Sequence, residues 1–431
     1  MRATKDSGIS WLGEYPSNWE LKKIKYCLQE RVEKNNPVRT TEILSLTAKQ
    51  GVIPYDQKEG GGNKPKEDVS AYRLAYPGDI VMNSMNILSG SVGLSQYFGC
   101  VSPVYYMLRP WKATEDVRYY NYIFQTTMFQ RSLFGLGNGI LIKESGNGKL
   151  NTIRMRIPMD KFGGLFIPVA PIDEQKRIAD FLDTKCAEID ALTADIQTQI
   201  DTLEQYKRSV ITETVTKGLN PNAEMKDSGI EWVGEIPVHW PVHPVYSYYG
   251  ERKNKNRLGK EDNLLSLSYG RVIRKDINTN DGLLPESFNT YNIVEAGDII
   301  IRPTDLQNDK RSLRTGLVKE HGIITSAYID LCPLKQVDSR YFHFLLHAYD
   351  VMKVFYNMGN GVRQGLNYSE FSRLMVFEPP YEEQVAMADY LETKVTEVDA
   401  IIEQKKEQMA VLEAYKRSLI FEYVTGKKEV I

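Results

Sequence analysis

The sequence predicts an α+β protein: two tandem α+β domains, each followed by one long helix, the two helices pairing antiparallel as an intramolecular coiled coil with pseudo-twofold symmetry. Three observations predict it. The chain is written twice, each copy closes on a long heptad pattern, and the segment inside each copy mixes short strand-like runs with amphipathic helical ones.

The repeat is the first of these. Lys5 to Trp19 reads KDSGISWLGEYPSNW, and 221 residues later Lys226 to Trp240 reads KDSGIEWVGEIPVHW, identical at ten of fifteen positions. The correspondence continues in order. Leu44–Thr47 answers Leu265–Ser268, Pro77-Gly78-Asp79-Ile80 answers Ala296-Gly297-Asp298-Ile299, and Gly137-Asn138-Gly139 answers Gly359-Asn360-Gly361. Ala179–Lys185 then matches Ala388–Lys394, and Tyr206-Lys207-Arg208-Ser209 matches Tyr415-Lys416-Arg417-Ser418. The offset has by then fallen to 209, so the first copy carries about thirteen extra residues after Gly139. Similarity is high at the opening and closing of each copy and low between, as expected of two related scaffolds holding inserts that do different versions of one job.

After Pro171 the pattern becomes helical. Leu182, Ile189, Ile196, Leu203 and Val210 recur every seventh residue, with Leu192 and Tyr206 three positions further on as a second seam row. The second copy places Leu391, Val398, Leu412 and Leu419 likewise, with Ile401 and Tyr415 in the second row and Lys405 as a charge on the seam. Acidic residues occupy the first turns (Asp173, Glu174; Glu382, Glu383), where the helix dipole favours them, and Gly218 and Gly426 supply stops. Each helix runs about 45 residues, roughly 65 Å, and its apolar stripe needs a partner, the other helix or, as the competing reading, a helix of another subunit. The expected boundaries are 1–170 for the first domain, 171–218 for its helix, 219–380 for the second domain and 381–431 for its helix.

Within the inserts, Thr41–Thr47 and Asn263–Ser268 alternate like half-buried strands. The Gly78-Asp79 and Gly297-Asp298 pairs read as turns that each deliver a strand. Asp116–Phe134 and Asp338–Tyr356 read as amphipathic helices.

Hydrophobic residues at 42% and charged ones at 26% are an ordinary globular composition. No apolar run approaches the ~20 residues of a membrane helix, and the opening lacks the apolar core of a signal peptide, so a cytoplasmic protein is expected. Cys27, Cys100, Cys186 and Cys332 show no metal-ligand spacing and are expected to be free thiols. Net charge is −2, yet residues 251–275 concentrate eight Lys and Arg against three acids, a stretch compatible with phosphate binding or with a solvated loop.

Catalytic chemistry is not legible. Glu378-Pro379-Pro380-Tyr381 resembles the Asn/Asp-Pro-Pro-aromatic loop of amino-methyltransferases, but Glu is a poor substitute for the short acceptor, and no Gly-rich turn for a methyl donor accompanies it. Glu174-Gln175-Lys176 has nuclease-like acid-x-Lys spacing, yet sits at a helix start without strand-borne acids. His343 and His347 lie one helical turn apart and lack a third metal ligand. No catalytic residue and no metal site is therefore expected.

With these features together, the chain closely resembles type I restriction–modification specificity subunits over nearly its whole length. The signatures are the doubled K-D-S-G-I-x-W-x-G-E-x-P-x-x-W opening, the Glu-Gln pairs that follow each proline (Glu174-Gln175, Glu383-Gln384), and the I/V-D and Y-K-R-S landmarks of each helix. The resemblance implies two target-recognition domains on duplex DNA and a helical spacer that seats two methyltransferase subunits and the restriction/translocase subunits. S-adenosylmethionine, ATP and magnesium would belong to those partners, and this chain would carry no cofactor. Differing inserts imply a bipartite, asymmetric site. A coiled-coil scaffold or a single-chain DNA-modification enzyme are the alternatives. The first leaves the paired divergent inserts unexplained, and the second lacks a catalytic motif.

For DNA contacts the sequence nominates Asn83, Asn86, Asn138, Lys143, Lys149 and Arg154 in the first domain, and Arg302, Arg311, Arg314, Arg363 and Gln364 in the second. All are placed in loops after the Gly-Asp strands or around the Gly-Asn-Gly turns. Arg, Asn and Gln carry the donor patterns that read base edges, while Lys and Arg neutralise phosphates.

Overall fold

The computed structural model describes every residue except 1, 48–49, 59–64, 140–142, 145–149, 152–154, 279–286, 305, 307–312, 355–357, 359–364 and 431. Its principal helices are α1 (Val117–Gln125), α2 (Ile172–Lys217), α3 (Ser339–Val351) and α4 (Tyr381–Val424). The chain divides into two units, Met1–Ile196 with Glu407–Ile431, and Gln197–Lys406.

In the first unit the opening motif forms a hairpin, Thr4–Asp6 against Glu14–Pro16. A four-stranded antiparallel sheet follows, in the order Leu28–Glu30, Tyr105–Pro110, Ile80–Asn83, Val92–Leu94. Phe166–Val169 then returns to pair with Glu20–Lys23 and delivers the chain into α2. The core joins Trp11, Trp19, Tyr119, Phe124, Phe129 and Phe162 to Leu182 and Ile189 of α2 and to Leu419 and Val424 of α4. Each such side chain contributes roughly 1.5–3 kcal/mol when fully buried.

The second unit repeats this plan. Met225–Asp227 pairs with Glu235–Pro237, the sheet runs Tyr249–Glu251, Ile329–Pro333, Ile299–Ile301, Thr315–Leu317, and Met375–Phe377 pairs with Val242–Pro244 before α4. Trp240, Tyr248, Tyr341, Phe342 and Phe377 form its core with Ile211 and Val215 of α2 and Leu391 of α4. Each unit is therefore closed by the far end of the other copy's helix. Tyr119 donates its hydroxyl to the Val424 carbonyl at 3.2 Å, and Tyr341 donates to Val215 at 3.2 Å. The helix stops are tight. Gly218 and Gly426 have φ of 76° and 71°, and a Cβ at Gly426 would lie 2.4 Å from Pro16.

The two strand-like runs form hairpin strands, Leu44–Thr47 with Gly51–Pro54 and Leu265–Ser268 with Arg271–Arg274. The run read as one helix over 116–134 breaks at Thr126, whose side chain caps a second short helix, Thr127–Ser132. The first copy's additional residues fall where Asn138–Gly139 pairs with Met155–Arg156 and Lys143–Glu144 with Leu150–Asn151.

The helices pair antiparallel within each unit. In the first, the Phe181 and Tyr423 rings sit 4.5 Å apart and Lys416 binds Asp190 at 2.6 Å. In the second, Lys405 donates to Gln199 at 2.6 Å and Lys207 binds Asp399 at 2.8 Å. In the leading row, Leu182, Ile189, Leu391, Val398 and Leu419 are buried, and Ile196, Leu203, Val210 and Leu412 are half-buried.

The second row is a correction. Leu192, Tyr206, Ile401 and Tyr415 are exposed, and the helices instead turn inward the row four residues on: Cys186, Thr193, Ile200 and Lys207 on α2, Val395, Ile402, Met409 and Lys416 on α4. Both rows satisfy a helical period, and the inward row ends on a lysine in each helix, Lys207 and Lys416, a residue type that sequence alone places at the surface. The inward row tolerates its lysines because their stems lie along the seam while the ammonium groups reach aspartates of the facing helix.

Candidate nucleic-acid interface

The repeated Gly-Asp turn positions the central strand in both units. Asp79 accepts from the Tyr76 backbone N–H at 3.0 Å and from Arg31 Nε at 2.9 Å, and Asp298 accepts from Glu295 at 2.8 Å and from Arg252 Nε at 2.7 Å. Glycine precedes each aspartate because φ is 86° at Gly78 and 95° at Gly297, a region that favours glycine. These buried aspartates anchor the start of a strand whose far end is the candidate site. Asn83 and Arg302 stand at that same end in the two units. The Asn83 N–H donates to Ser91 at 3.0 Å, and the Arg302 N–H donates to Arg314 at 2.8 Å.

Around Asn83, Asn86 is exposed, and Asn83 accepts from the Met85 N–H at 3.0 Å through Oδ1. A cavity of about 360 Å³ in the same unit is lined by Glu30, Arg73, Tyr106, Arg156 and Asp160. Arg73 pairs with Glu30 at 2.6 Å. Sequence reading missed Arg73 and Arg156. No spacing singles them out, because the sheet and the Asn138–Arg156 pairing bring them together.

Arg302 is exposed, but Arg314 is a correction. It is 4% exposed, its guanidinium donates to the carbonyls of Thr304 and of Arg302 (3.3 Å), and its N–H donates to Asp350 at 2.7 Å. Buried and engaged in this way, it braces the loop carrying Arg302 instead of presenting a charge to solvent. Asn138 and Lys143 lie in short strands where loops were expected. Lys149, Arg154, Arg311, Arg363 and Gln364 lie outside the described residues.

Four of the eight cations at 251–275 are drawn into ion pairs. Arg252 binds Asp298, Lys253 binds Glu251 at 2.8 Å, Arg271 binds Asp399 at 2.7 Å and Arg274 binds Glu320 at 2.7 Å. Part of a run of cations in sequence thus becomes intramolecular ion pairs, with Glu251 from within the run and Asp298, Glu320 and Asp399 of α4 from outside it.

The doubled Glu-Gln pairs also acquire a physical meaning. Trp19 donates its indole N–H to Glu174 at 2.9 Å, and Trp240 donates to Glu383 at 3.0 Å. Burial alone would raise the Glu174 carboxyl, but hydrogen bonds from Arg2 and Trp19 outweigh it and hold the group below the usual carboxylate range. The adjacent Gln175 accepts from the Asp116 N–H (3.2 Å) and donates to Ala170 (2.9 Å), and Gln384 bonds Asp338 and Pro379 likewise (2.9 and 2.8 Å). Asp116 and Asp338 cap α1 and α3, so each motif locks opening hairpin, insert helix and spacer helix together.

His343 and His347 are held neutral, burial pushing them down to about 3 and about 4. Among the described residues no cluster of three or more His, Cys, Asp or Glu is placed to hold a metal ion. No helix there is long and apolar enough to cross a membrane.

A scaffold written twice, presenting different side chains from one equivalent strand end, defines a tandem recognition architecture. The relatives agree with it. The protein assigned as the MjaX type I restriction enzyme specificity subunit of Methanocaldococcus jannaschii is 24% identical over 97% of this chain and 96% of its own length. The type I restriction enzyme MjaVIII specificity subunit of the same organism is 26% identical over 62% of this chain and 63% of its own. A chain from a solved structure on complex assembly and conformational transition of the type I R-M system superposes with a TM-score of 0.67 at 12% identity. The match covers 96% of this chain and 99% of that one, and it shows a shared fold. No family model matches the sequence. The chain is a homologue of type I restriction enzyme specificity subunits.

Proposed function

We propose that the chain is the DNA-specificity subunit of a type I restriction–modification complex, recognising a bipartite, asymmetric duplex site. Residues 1–170 and 219–380 are the two readers, and 171–218 and 381–431 are the spacer helices. The observation that carries this reading is the pair Asn83 and Arg302: one scaffold position, two donor chemistries. Asparagine suits adenine and arginine suits guanine in the major groove, so matched strand ends with different side chains read different bases. Asn86, Asn138, Lys143, Lys149, Arg154, Arg311, Arg363 and Gln364 complete the contacts, and Arg314 acts through Arg302.

The subunit itself is non-catalytic, works in the cytoplasm, and takes methyl donor, ATP and magnesium chemistry from its partners. Two methyltransferase subunits dock on the spacer helices, and restriction/translocase subunits join them. Equivalent exposed pairs support two equivalent seats: Leu192 and Tyr415 flank the Asp190–Lys416 ion pair, and Ile401 and Tyr206 flank Asp399–Lys207.

Exchanging residues 20–170 for the insert of another such subunit tests the reading by methylome sequencing of the host. One half of the methylated motif changes and the other persists. A change in both halves, or a motif without a gap, would refute it.

A further inference from the structure

The second copy of the scaffold contains a cavity that the first copy fills with its own side chain. In the first unit the Ser17 N–H donates to the Ala3 carbonyl at 2.9 Å, fixing Arg2 beside the hairpin. The Arg2 guanidinium donates to both oxygens of Glu174, to Oε2 at 2.8 Å, and Nη2 and Nε donate to Asn18 Oδ1 at 2.8 and 3.3 Å. It lies 5.2 Å over the Trp19 ring.

In the second unit the Val238 N–H donates to the Glu224 carbonyl at 2.8 Å, the same backbone bond, so Ala223 stands where Arg2 does. Glu383 replaces Glu174, Trp240 replaces Trp19, and His239 replaces Asn18. Arg177, the next cation of the first site, becomes Ala386. The two exchanges of arginine for alanine leave a cavity of about 230 Å³, lined by Ala223, His239, Glu383, Ala386, Lys217 and Gly218 among others.

We propose that this cavity binds a guanidinium group, supplied by an arginine-type ligand. Three features favour that chemistry. Glu383 presents a carboxylate whose Oε2 is held by Trp240 and whose Oε1 lies 2.8 Å from His239 Nε2, the arrangement that receives Arg2 in the first unit with one donor exchanged. With Nε2 donating, His239 keeps Nδ1 as an acceptor, the role of Asn18 Oδ1. Lys217 and Gly218, at the C-terminal end of α2, line the cavity, and the negative end of a helix dipole favours a cation. A planar fork matches a carboxylate with two parallel bonds, as a lysine ammonium cannot. Lys217, exposed, is the one like charge among the lining residues.

Titration calorimetry on the full chain tests the proposal, with Nα-acetyl-L-arginine N-methylamide and free L-arginine as probes and the corresponding citrulline compounds as uncharged controls. Saturable binding of an arginine probe at least about tenfold tighter than its citrulline control is expected. The blocked probe binding better assigns the site to an arginine of a peptide, and free arginine binding better assigns it to a small molecule. Ala223→Arg restores the first copy's arrangement, so it abolishes binding and raises the melting temperature. Glu383→Gln weakens binding at least about tenfold, with a melting scan to show that it folds. If Glu383→Gln does not fold, Ala223→Arg alone decides. Absence of saturable binding, equal binding of citrulline, or unchanged affinity in Ala223→Arg would overturn the proposal.

Discussion

Replacing Ile189 and Leu192 by alanine, one at a time, tests the helix register directly. Both sit in α2 within the first unit, three residues apart, so helix context and unfolding unit are shared. Ile189 is 6% exposed and packs in the core, whereas Leu192 is 52% exposed. Either substitution removes about three carbons, worth ~0.8 kcal/mol each if fully buried, or ~2.4 kcal/mol. At Ile189 a residual cavity adds to this, and alanine's better helix propensity returns a few tenths, leaving about 2–4 kcal/mol. At Leu192 roughly half the transfer loss applies, no cavity forms and the propensity gain is similar, leaving below ~1 kcal/mol. Urea unfolding followed by tryptophan fluorescence, sensitive to Trp11 and Trp19 in the same core, measures the difference. Equal losses, or a larger one at Leu192, would show that the inward row is the one three residues on from each leading position.

Asp330 offers a pH test, because both its buried oxygens lack a hydrogen-bond partner among the described residues, and burial beside Asp298 pushes its carboxyl up to about 8. The folded state therefore holds a proton that the unfolded chain releases, and stability falls as pH rises from ~4 to ~8, by at most ~1.4 kcal/mol per unit. Asp330→Asn removes that slope in pH-resolved melting, and an unchanged slope refutes the assignment. Arg302→Ala leaves melting unchanged but costs ~1–3 kcal/mol at one base or flattens the salt slope by about one unit. Arg314→Ala costs about 2–3 kcal/mol of stability instead, and urea unfolding of each beside DNA-binding titrations separates the two roles. Tyr206→Ser with Tyr415→Ser leaves the isolated chain's melting within ~0.5 kcal/mol while weakening methyltransferase assembly in sedimentation, and assembly at full strength would move the partner seat elsewhere.

The fold was legible because the repeat was. Trp19 and Trp240, the Gly-Asp turns and the Y-K-R-S landmarks each hold one structural bond twice, so their spacing survives in both copies. The second helical row was not legible, because its lysines look like surface until the facing aspartates are known. The candidate interface divides in the same way. Asn83 and Arg302 follow from the strand that the Gly-Asp turn delivers, and sequence position suffices. Arg314 has the right residue type in the right segment, and only the fold reveals that Arg302, Thr304 and Asp350 already hold it. For the cations of 251–275 the sequence left phosphate binding and a solvated loop open, because the acids that pair Arg252, Arg271 and Arg274 lie outside the stretch, at Asp298, Asp399 and Glu320.

The closure of the first unit by residues from the far end of the chain also sets a clock. Ile196 and Glu407 are separated by roughly 210 residues, which take about 10–40 s to synthesise at 5–20 residues per second. Through that interval the core around Trp19 and Tyr119 lacks Leu419, Ile420 and Val424, while Leu182 and Ile189 have no facing helix. The second unit is contiguous from Gln197 to Lys406 and can close as soon as it leaves the ribosome. The half of the protein made first is thus completed last. A chain released before Glu407 holds a complete second unit and an unfinished first one, whose exposed apolar core is a target for proteases and chaperones.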